Sequence, residues 1–176
     1  LALRERTEAG SGTCVGRPVA RNTVRIIRID DGAIADWSDA LRVAPGQVGE
    51  ITVAGPSATD AYFNRDAQPA LAKIRERLPD GGERIVHRMG DLGWFDGDGR
   101  LWFCGRKSQR IVVDAVTTLC TEQVEPVFNA HPGVARTALV GTGAQGMQSP
   151  VLCVELNAGI GKREWPRIER ELRHLG

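Results

Sequence analysis

The stretch from His87 to Arg110, HRMGDLGWFDGDGRLWFCGRKSQR, constrains the fold of this chain more than any other. Apolar and aromatic residues fill two short runs on either side of Asp96-Gly97-Asp98-Gly99. Glycine adopts positive φ without steric penalty, so this tetrapeptide predicts a tight turn between two strands. Such a hairpin would hold Asp91 at its front end and Arg106 at its back end. A carboxylate and a guanidinium placed in this way suit a vicinal diol and an adjacent phosphate.

The same sequence argues against a metal site. Asp96-Gly97-Asp98-Gly99 is calcium-like in composition, but an EF-hand needs a twelve-residue ligand series that ends in glutamate. Zinc would need clustered thiolates or histidines, and the cysteines form no C-x-x-C pair. We expect no metal site, and we expect the cysteines to be reduced core or near-core residues of a cytoplasmic protein. These cysteines are Cys14, Cys104, Cys120 and Cys153.

Bulk properties exclude several classes of protein. The chain has 176 residues, of which 41% are hydrophobic and 26% charged, with a formal net charge of +1. These values are typical of a soluble globular protein of about one domain. No apolar run approaches the roughly 20 residues that span a bilayer, and no secretory signal is visible at the start. We therefore expect no membrane span. The basic patch around Arg106 lacks a known nucleic-acid motif, so we expect no nucleic-acid partner either.

The string GDLGWFDGDGRLWFCGRK resembles the domain junction of the adenylate-forming enzymes, which include acyl-CoA synthetases, peptide synthetase adenylation domains and luciferases. The family pattern at this point is T-G-D-L-G, a hairpin, and then G-R-x-(D or K). The resemblance implies that Asp91 binds the ribose hydroxyls of ATP or AMP, and that Arg106 contacts the ribose-phosphate side. It also places the pivot of a domain rotation at Ser108, where relatives usually have Asp or Lys.

Other segments extend the resemblance in both directions. Gly16-Arg17-Pro18 and the run from Gly49 to Pro56 match motifs that build a small distorted β-barrel in the family. Tyr62-Phe63-Asn64-Arg65 resembles G-Y-x-N-R, with Ala61 in place of the usual glycine. The expected fold class is therefore α+β. Residues 1–104 would form the β-rich tail of a large N-terminal domain, 105–109 a hinge, and 110–176 an incomplete small α+β domain.

Local patterns predict the individual elements. Residues 1–12 are expected to be an irregular lead-in, and PALAKIRERL (69–78) a short helix. A further helix should begin with Thr121 as its N-cap, and another should cover 164–175 with Ile168, Leu172 and Leu175 on one side. The remaining predicted strands lie at 24–29, 50–54, 110–113, 135–140 and 151–156.

The run Gly141-Thr142-Gly143-Ala144-Gln145-Gly146 matches the pattern G-x-G-x-x-G of dinucleotide-binding folds. A dinucleotide site also needs a helix that opens at the last glycine, because the helix N-terminus meets the pyrophosphate. Met147-Gln148-Ser149-Pro150 and a β-rich run follow instead. We expect a loop here.

By resemblance, the reaction joins a carboxylate to the α-phosphate of ATP with Mg²⁺ and expels pyrophosphate. The family's phosphate loop, its T-E segment and its late lysine are not recognisable, and Lys162 lacks the proline of the lysine motif. We therefore expect ATP and Mg²⁺ to be bound mainly by parts outside this chain. No catalytic residue is assigned within it, and this polypeptide alone is expected to be inactive.

The second half of the reaction is less constrained. The span from Val113 to Cys120 has no glycine, whereas acyl-CoA synthetases usually have one in the segment that helps to build the thiol-attack site. The runs HRMGDLGWFD, VFNAHPGV and PVLCVEL look most like β-lactone synthetases of long-chain olefin biosynthesis, in which a β-hydroxy fatty acid is adenylated and its own hydroxyl displaces AMP. A fatty-acyl or peptide-synthetase-like enzyme is the alternative, and a non-catalytic α+β binding module is the rival class. The expected partners are a carboxylic acid and ATP, with the acyl substrate, homo-oligomers and pathway partners left open.

Overall fold

The computed structural model of the protein describes residues 2–56 and 69–175. It contains two compact units: one comprises Cys14–Phe103, and the other combines the residues up to Thr13 with those from Cys104 onward. The predicted family motif Tyr62-Phe63-Asn64-Arg65 lies outside the described residues. The assignment of 1–104 to a large domain, with a hinge at 105–109, stays a prediction.

A six-stranded sheet dominates the Cys14–Phe103 unit. Its strands are β1 (Thr13–Gly16), β2 (Thr23–Ile27), β3 (Gly49–Ala54), β4 (Lys73–Arg77), β5 (Glu83–Phe95) and β6 (Leu101–Arg106). The strand order is β1-β6-β5-β3-β2, β4 pairs with β5, and the division between the units falls within β6. This curled sheet confirms the predicted α+β class and its β-rich first part.

Antiparallel pairing and one apolar cluster hold this sheet together. β2 pairs with β3 from Thr23 opposite Ala54 to Ile27 opposite Glu50, which confirms the two predicted strands. β-Branched residues favour this arrangement because their side chains pack well on a pleated surface. Trp37 packs against the core. The core residues are Ile27, Ile34, Leu41, Ala54, Ile74 and Val86.

The helix predicted over residues 69–78 is wrong. Only Pro69–Ala72 is helical (α2), and Lys73–Arg77 forms β4 instead. Alternation explains the difference, because Ile74 and Glu76 are buried while Arg75 and Arg77 are exposed. Pairing with β5 therefore overrides the local helix propensity of this segment.

The unit from Cys104 onward is a small α+β unit. Its elements are β7 (Ile111–Val112), β8 (Thr118–Leu119), α3 (Thr121–Asn129), β9 (Val134–Thr142), β10 (Ser149–Leu156) and α4 (Trp165–Arg173). The hairpin of β9 and β10 forms one two-stranded sheet, and β7 and β8 form another. The predicted strands at 110–113, 135–140 and 151–156 and the helix at 164–175 are confirmed within a few residues.

The core of this unit joins α4 to the β9–β10 hairpin. Ile168 and Leu172 are buried against Val134, as predicted, but Leu175 is exposed. The N-cap of α3 is Cys120, so the prediction that Thr121 caps it is wrong by one residue. The G-x-G-x-x-G run covers the last two residues of β9 and the first part of its connection to β10, and no helix opens at its last glycine, which confirms the loop prediction.

Most of residues 3–11 is helical, with a kink at Gly10, whose φ is 85°, and this corrects the expected irregular lead-in. Helix α1 (Leu3–Arg6) runs into a π-helical turn at Thr7–Ser11. Gln123 Nε2 of α3 donates to the Gly10 carbonyl at 3.3 Å. Thr13 Oγ1 donates to Glu122 Oε2 at 2.9 Å, so tertiary contacts with α3 stabilise a segment whose glycines argue against a helix.

Candidate functional site

Asp91 lies on a bulge in β5. Thr52 of β3 is opposite Arg88, and Glu50 is opposite Leu92, so two steps along β3 correspond to four along β5. The extra residues are accommodated at Gly90, whose φ of 68° lies in the left-handed region that favours glycine. Bulges turn a side chain away from the regular strand direction and recur beside functional sites. The glycine before Asp91 therefore has a backbone role that sets the direction of the carboxylate.

The carboxylate of Asp91 is partly shielded from solvent. The residue is half-buried, and its Oδ1 atom is buried. The glycine on its far side, Gly93, is fully enclosed: a Cβ built on it would lie 2.5 Å from the Trp102 carbonyl oxygen and 2.9 Å from Ile51 Cδ1. Glycine at this position lets β5 approach β6 and β3 closely.

A buried ion pair closes across the bulge. Arg88 Nη2 lies 2.7 Å from Glu50 Oε2, and each side chain is 1% exposed. Arg88 Nη1 donates to the Gly32 carbonyl at 2.6 Å, and Nη2 donates to the Asp30 carbonyl. One guanidinium therefore joins β5, β3 and the turn after β2, immediately before the bulge that carries Asp91. The sequence analysis did not predict this pair. Its signal in the sequence is a charged residue beside the apolar residues of a predicted strand.

The turn of the central hairpin is built around Asp96. Its carboxylate accepts hydrogen bonds from the backbone N–H groups of Asp98 and Arg100, and from Trp102 Nε1 at 2.9 Å. Burial opposes ionisation, but these bonds and that from the Arg100 guanidinium outweigh it and hold the pKa of the Asp96 carboxyl well below its usual range. Asp96 is therefore a turn-stabilising residue, which confirms the hairpin interpretation of the D-G-D-G run.

Aromatic stacking adds to the rigidity of the hairpin. The rings of Trp94 and Trp102 are stacked, with centroids 5.9 Å apart and an interplanar angle of 18°. Offset stacking of this kind adds about 0.5–1.5 kcal/mol beyond the area that it buries. The strand that presents Asp91 is thus supported on both sides of its bulge.

Arg106 and Ser108 lie in the other unit. Arg106 is exposed and ends β6. Gly105 precedes it with a φ of 121°, and a Cβ there would lie 2.5 Å from Thr121 Oγ1. Ser108 is exposed at the centre of a single 3₁₀ turn, Lys107–Gln109. A short exposed turn is suited to a change in backbone angles.

Asp91 and Arg106 thus belong to different compact units, and their joint action on one nucleotide stays a prediction. Among residues 2–56 and 69–175 there is no group of three His, Cys, Asp or Glu side chains that could hold a metal ion. In the same described part, no helix is long and apolar enough to cross a membrane.

Comparison with known proteins identifies the family. No family model matches the chain. The olefin β-lactone synthetase of Xanthomonas campestris pv. campestris is 61% identical over 175 residues, which are 99% of this chain and 31% of that protein. The olefin β-lactone synthetase of Stenotrophomonas maltophilia is 64% identical over 170 residues, or 97% of this chain and 30% of that protein.

A solved structure agrees with these relatives. The o-succinylbenzoate CoA synthetase of Bacillus subtilis, in complex with an acyl-adenylate intermediate, has a TM-score of 0.62 and 25% identity. The match covers 90% of this chain and 29% of that one. This chain belongs to the adenylate-forming enzymes. It spans about a third of the length of the adenylate-forming relatives and corresponds to their C-terminal portion.

Proposed function

We propose that this chain is part of an ATP-dependent enzyme that activates a β-hydroxy fatty acid as its acyl adenylate and then closes it to a β-lactone. The high identity to two olefin β-lactone synthetases over almost the whole chain carries the proposal. Within this proposal the enzyme works in the cytoplasm, where the thiols of the four cysteines in this chain stay reduced.

The proposed chemistry has two steps. In the first, a carboxylate oxygen of the acid attacks the α-phosphorus of ATP, and the bond to pyrophosphate breaks. In the second, the hydroxyl oxygen at the β-carbon attacks the acyl carbon and loses its proton, while AMP leaves with the bonding electrons. The nucleophile is already part of the substrate, so the second step needs no thiol. Placement of the nucleotide and stabilisation of charge at phosphorus are the demands on the protein.

Three residues of this chain have proposed roles. Asp91 would accept hydrogen bonds from the ribose hydroxyls, and the bulge at Gly90 supports this role because it directs the carboxylate. Arg106, exposed at the end of β6, would contact the ribose-phosphate side. Ser108 would be the pivot of the small unit, since it occupies a short exposed turn.

ATP and Mg²⁺ would be held mainly by parts of the enzyme outside this chain. Mg²⁺ takes oxygen ligands and is usually held by one or two carboxylates together with substrate phosphates. The bound Mg²⁺ would neutralise charge that develops on the phosphate oxygens. This chain would contribute ribose recognition and the hinge at residues 105–109.

A thioester-forming ligase is the second candidate. The structural similarity to an o-succinylbenzoate CoA synthetase favours it, because the name of that protein indicates CoA as its second substrate. The absence of glycine between Val113 and Cys120 in the sequence favours lactonisation instead. The two candidates differ in whether AMP release requires CoA.

The deciding experiment uses the full-length enzyme with a long-chain β-hydroxy acid. We expect acid-dependent exchange of labelled pyrophosphate into ATP, followed by AMP release and a lactone product without CoA. The matched acid that lacks the hydroxyl should support exchange but yield no lactone. AMP release that depends on CoA would establish the thioester alternative. If neither acid supports exchange of pyrophosphate into ATP, the non-catalytic binding module is the remaining interpretation.

A further inference from the structure

Both backbone polar groups of Val112 form hydrogen bonds with one residue, Gln148. Its N–H donates to Gln148 Oε1 at 2.9 Å. Its carbonyl accepts from the Gln148 backbone N–H at 3.0 Å. Gln148 therefore pairs with the outer edge of β7 in the way that a residue of a neighbouring strand would pair.

The hairpin of β7 and β8 is otherwise very small. Each strand has two residues, with Ile111 opposite Leu119 and Val112 opposite Thr118. An isolated two-stranded hairpin is at best marginally stable in water, so this one needs tertiary contacts. Ile111 is buried and provides an apolar anchor.

The tip of the hairpin supports itself locally. Asp114 Oδ1 accepts hydrogen bonds from the backbone N–H groups of Val116 and Thr117, at 2.8 and 2.7 Å. Val116 is 93% exposed. The hairpin is thus ordered at its tip and attached at its base, where Gln148 lies.

Gly141 of β9 makes room for the Gln148 side chain. A Cβ built on Gly141 would lie 2.5 Å from Gln148 Nε2 and 2.9 Å from Gln148 Cδ. Ile111 Cγ1 would be 3.2 Å away. Gly141 is outside the left-handed region, so alanine there meets a steric barrier rather than a backbone one.

We propose that Gln148 is a positioning residue that fastens the β7–β8 hairpin to the β9–β10 hairpin, with Gly141 as the space that it requires. The hairpin begins three residues after Ser108, at the start of the small unit. When the unit turns about that joint, Gln148 makes the hairpin turn with it. The part of this proposal that concerns rotation about Ser108 rests on the proposed function. The attachment of the β7–β8 hairpin by Gln148 does not.

Amide hydrogen exchange on this chain tests the fastening. Gln148→Ala removes the acceptor for the Val112 N–H, and we expect exchange at Val112 to become about tenfold faster. Gln148→Glu retains an acceptor oxygen and should restore most of the protection. Gln145→Ala, in the same connection and exposed, is the matched control and should change nothing. Unaltered protection of Val112 in Gln148→Ala would overturn the proposal.

A double-mutant cycle provides a second test that does not depend on one substitution. Gly141→Ala alone should displace the Gln148 side chain and accelerate exchange at Val112 to a similar extent. In the Gln148→Ala background the obstructing atoms are gone, so the added alanine should have little further effect. Fully additive effects of the two substitutions would contradict a shared mechanism.

The full-length enzyme reports on the consequence for catalysis. Gln148→Ala should lower kcat severalfold and leave KM for ATP within about twofold, because the Asp91 bulge lies in the other unit. Gln148→Glu should recover kcat. If exchange at Val112 accelerates in Gln148→Ala but kcat does not change, the proposed role of Gln148 in the rotation about Ser108 is wrong. An inactive wild type would count against the proposed function and leave the exchange result intact.

Discussion

Arg88 and Glu50 form a buried ion pair, with Nη2 and Oε2 2.7 Å apart, across the bulge that carries Asp91. Their backbones are not cross-strand partners, since Arg88 lies opposite Thr52 and Glu50 opposite Leu92. The side chains therefore bridge the distance that the bulge opens. A buried pair of this kind is weak evidence for stability in itself, but it specifies one arrangement of the strands.

Glu50→Gln should destabilise the Cys14–Phe103 unit by about 3–5 kcal/mol, because it leaves the Arg88 guanidinium buried without its counter-charge. Urea unfolding followed by tryptophan fluorescence measures the loss. The exposed pair Arg136–Glu155 is the control, and Arg136→Ala should cost less than about 1 kcal/mol. An unchanged midpoint in Glu50→Gln would show that the pair does not hold the bulge.

Gly93→Ala should destabilise the chain by about 1–3 kcal/mol, because its Cβ would overlap the Trp102 carbonyl oxygen, which is backbone and cannot rotate away. Gly97→Ala in the hairpin turn is the matched control, since no described atom lies within 4 Å of a Cβ built there. Thermal unfolding of both variants checks the difference. Equal melting temperatures would contradict the close approach of β5 and β6.

Asp91→Asn in the full-length enzyme should weaken AMP binding by about 10- to 100-fold, the usual range for the loss of hydrogen bonds to a charged group. Titration calorimetry with AMP measures the change. Asp98→Asn changes an exposed carboxylate in the same hairpin and should leave the affinity unaltered. Wild-type affinity in Asp91→Asn would remove the ribose assignment while leaving the family membership untouched.

Glu76 should make the stability of the chain depend on acid pH. The bidentate bond from Arg25 outweighs the opposing effect of burial, and Arg84 adds to it, so the pKa of Glu76 falls from 4.5 to about 2. Because the folded pKa is the lower one, the unfolded chain binds more protons between these values. The stabilisation is therefore complete above about pH 4.5 and is lost as the pH falls toward 2.

Glu76→Gln tests this dependence directly. At pH 6 the variant should be less stable than wild type by about 3 kcal/mol, and the gap should narrow steadily between pH 4.5 and pH 2. Urea midpoints at several pH values measure it. Glu83→Gln, which alters an exposed carboxylate 3.7 Å from Arg77, should show a flat difference. A constant gap for Glu76→Gln would contradict the lowered pKa.

Thiol reactivity should separate the four cysteines. Burial raises the pKa of Cys104 to about 12 and that of Cys120 to about 11, so neither supplies much thiolate near neutral pH. Cys153 is exposed, which corrects the expectation that every cysteine is in or near the core. An aromatic disulfide reagent should modify Cys153 first, and Cys153→Ser should abolish the fast phase. A fast phase that survives in that variant would assign it to another thiol.

The central hairpin could be predicted because its information is local. Glycines at the turn, and apolar runs beside it, specify two strands within about twenty residues. The family resemblance rests on the same short string, so it was also accessible from the sequence. The helix expected at 69–78 failed because strand pairing with distant residues outweighed its own propensity.

The amino-acid sequence by itself determined the hairpin, the α+β class and the family, because turn chemistry and apolar runs act over short distances. Only the tertiary structure decided that Gly90 opens a bulge, that Arg88 meets a carboxylate 38 positions away, and that Gln148 pairs with Val112. Contacts of this kind depend on strand register. Register is set by how two surfaces pack, and no single segment contains that information.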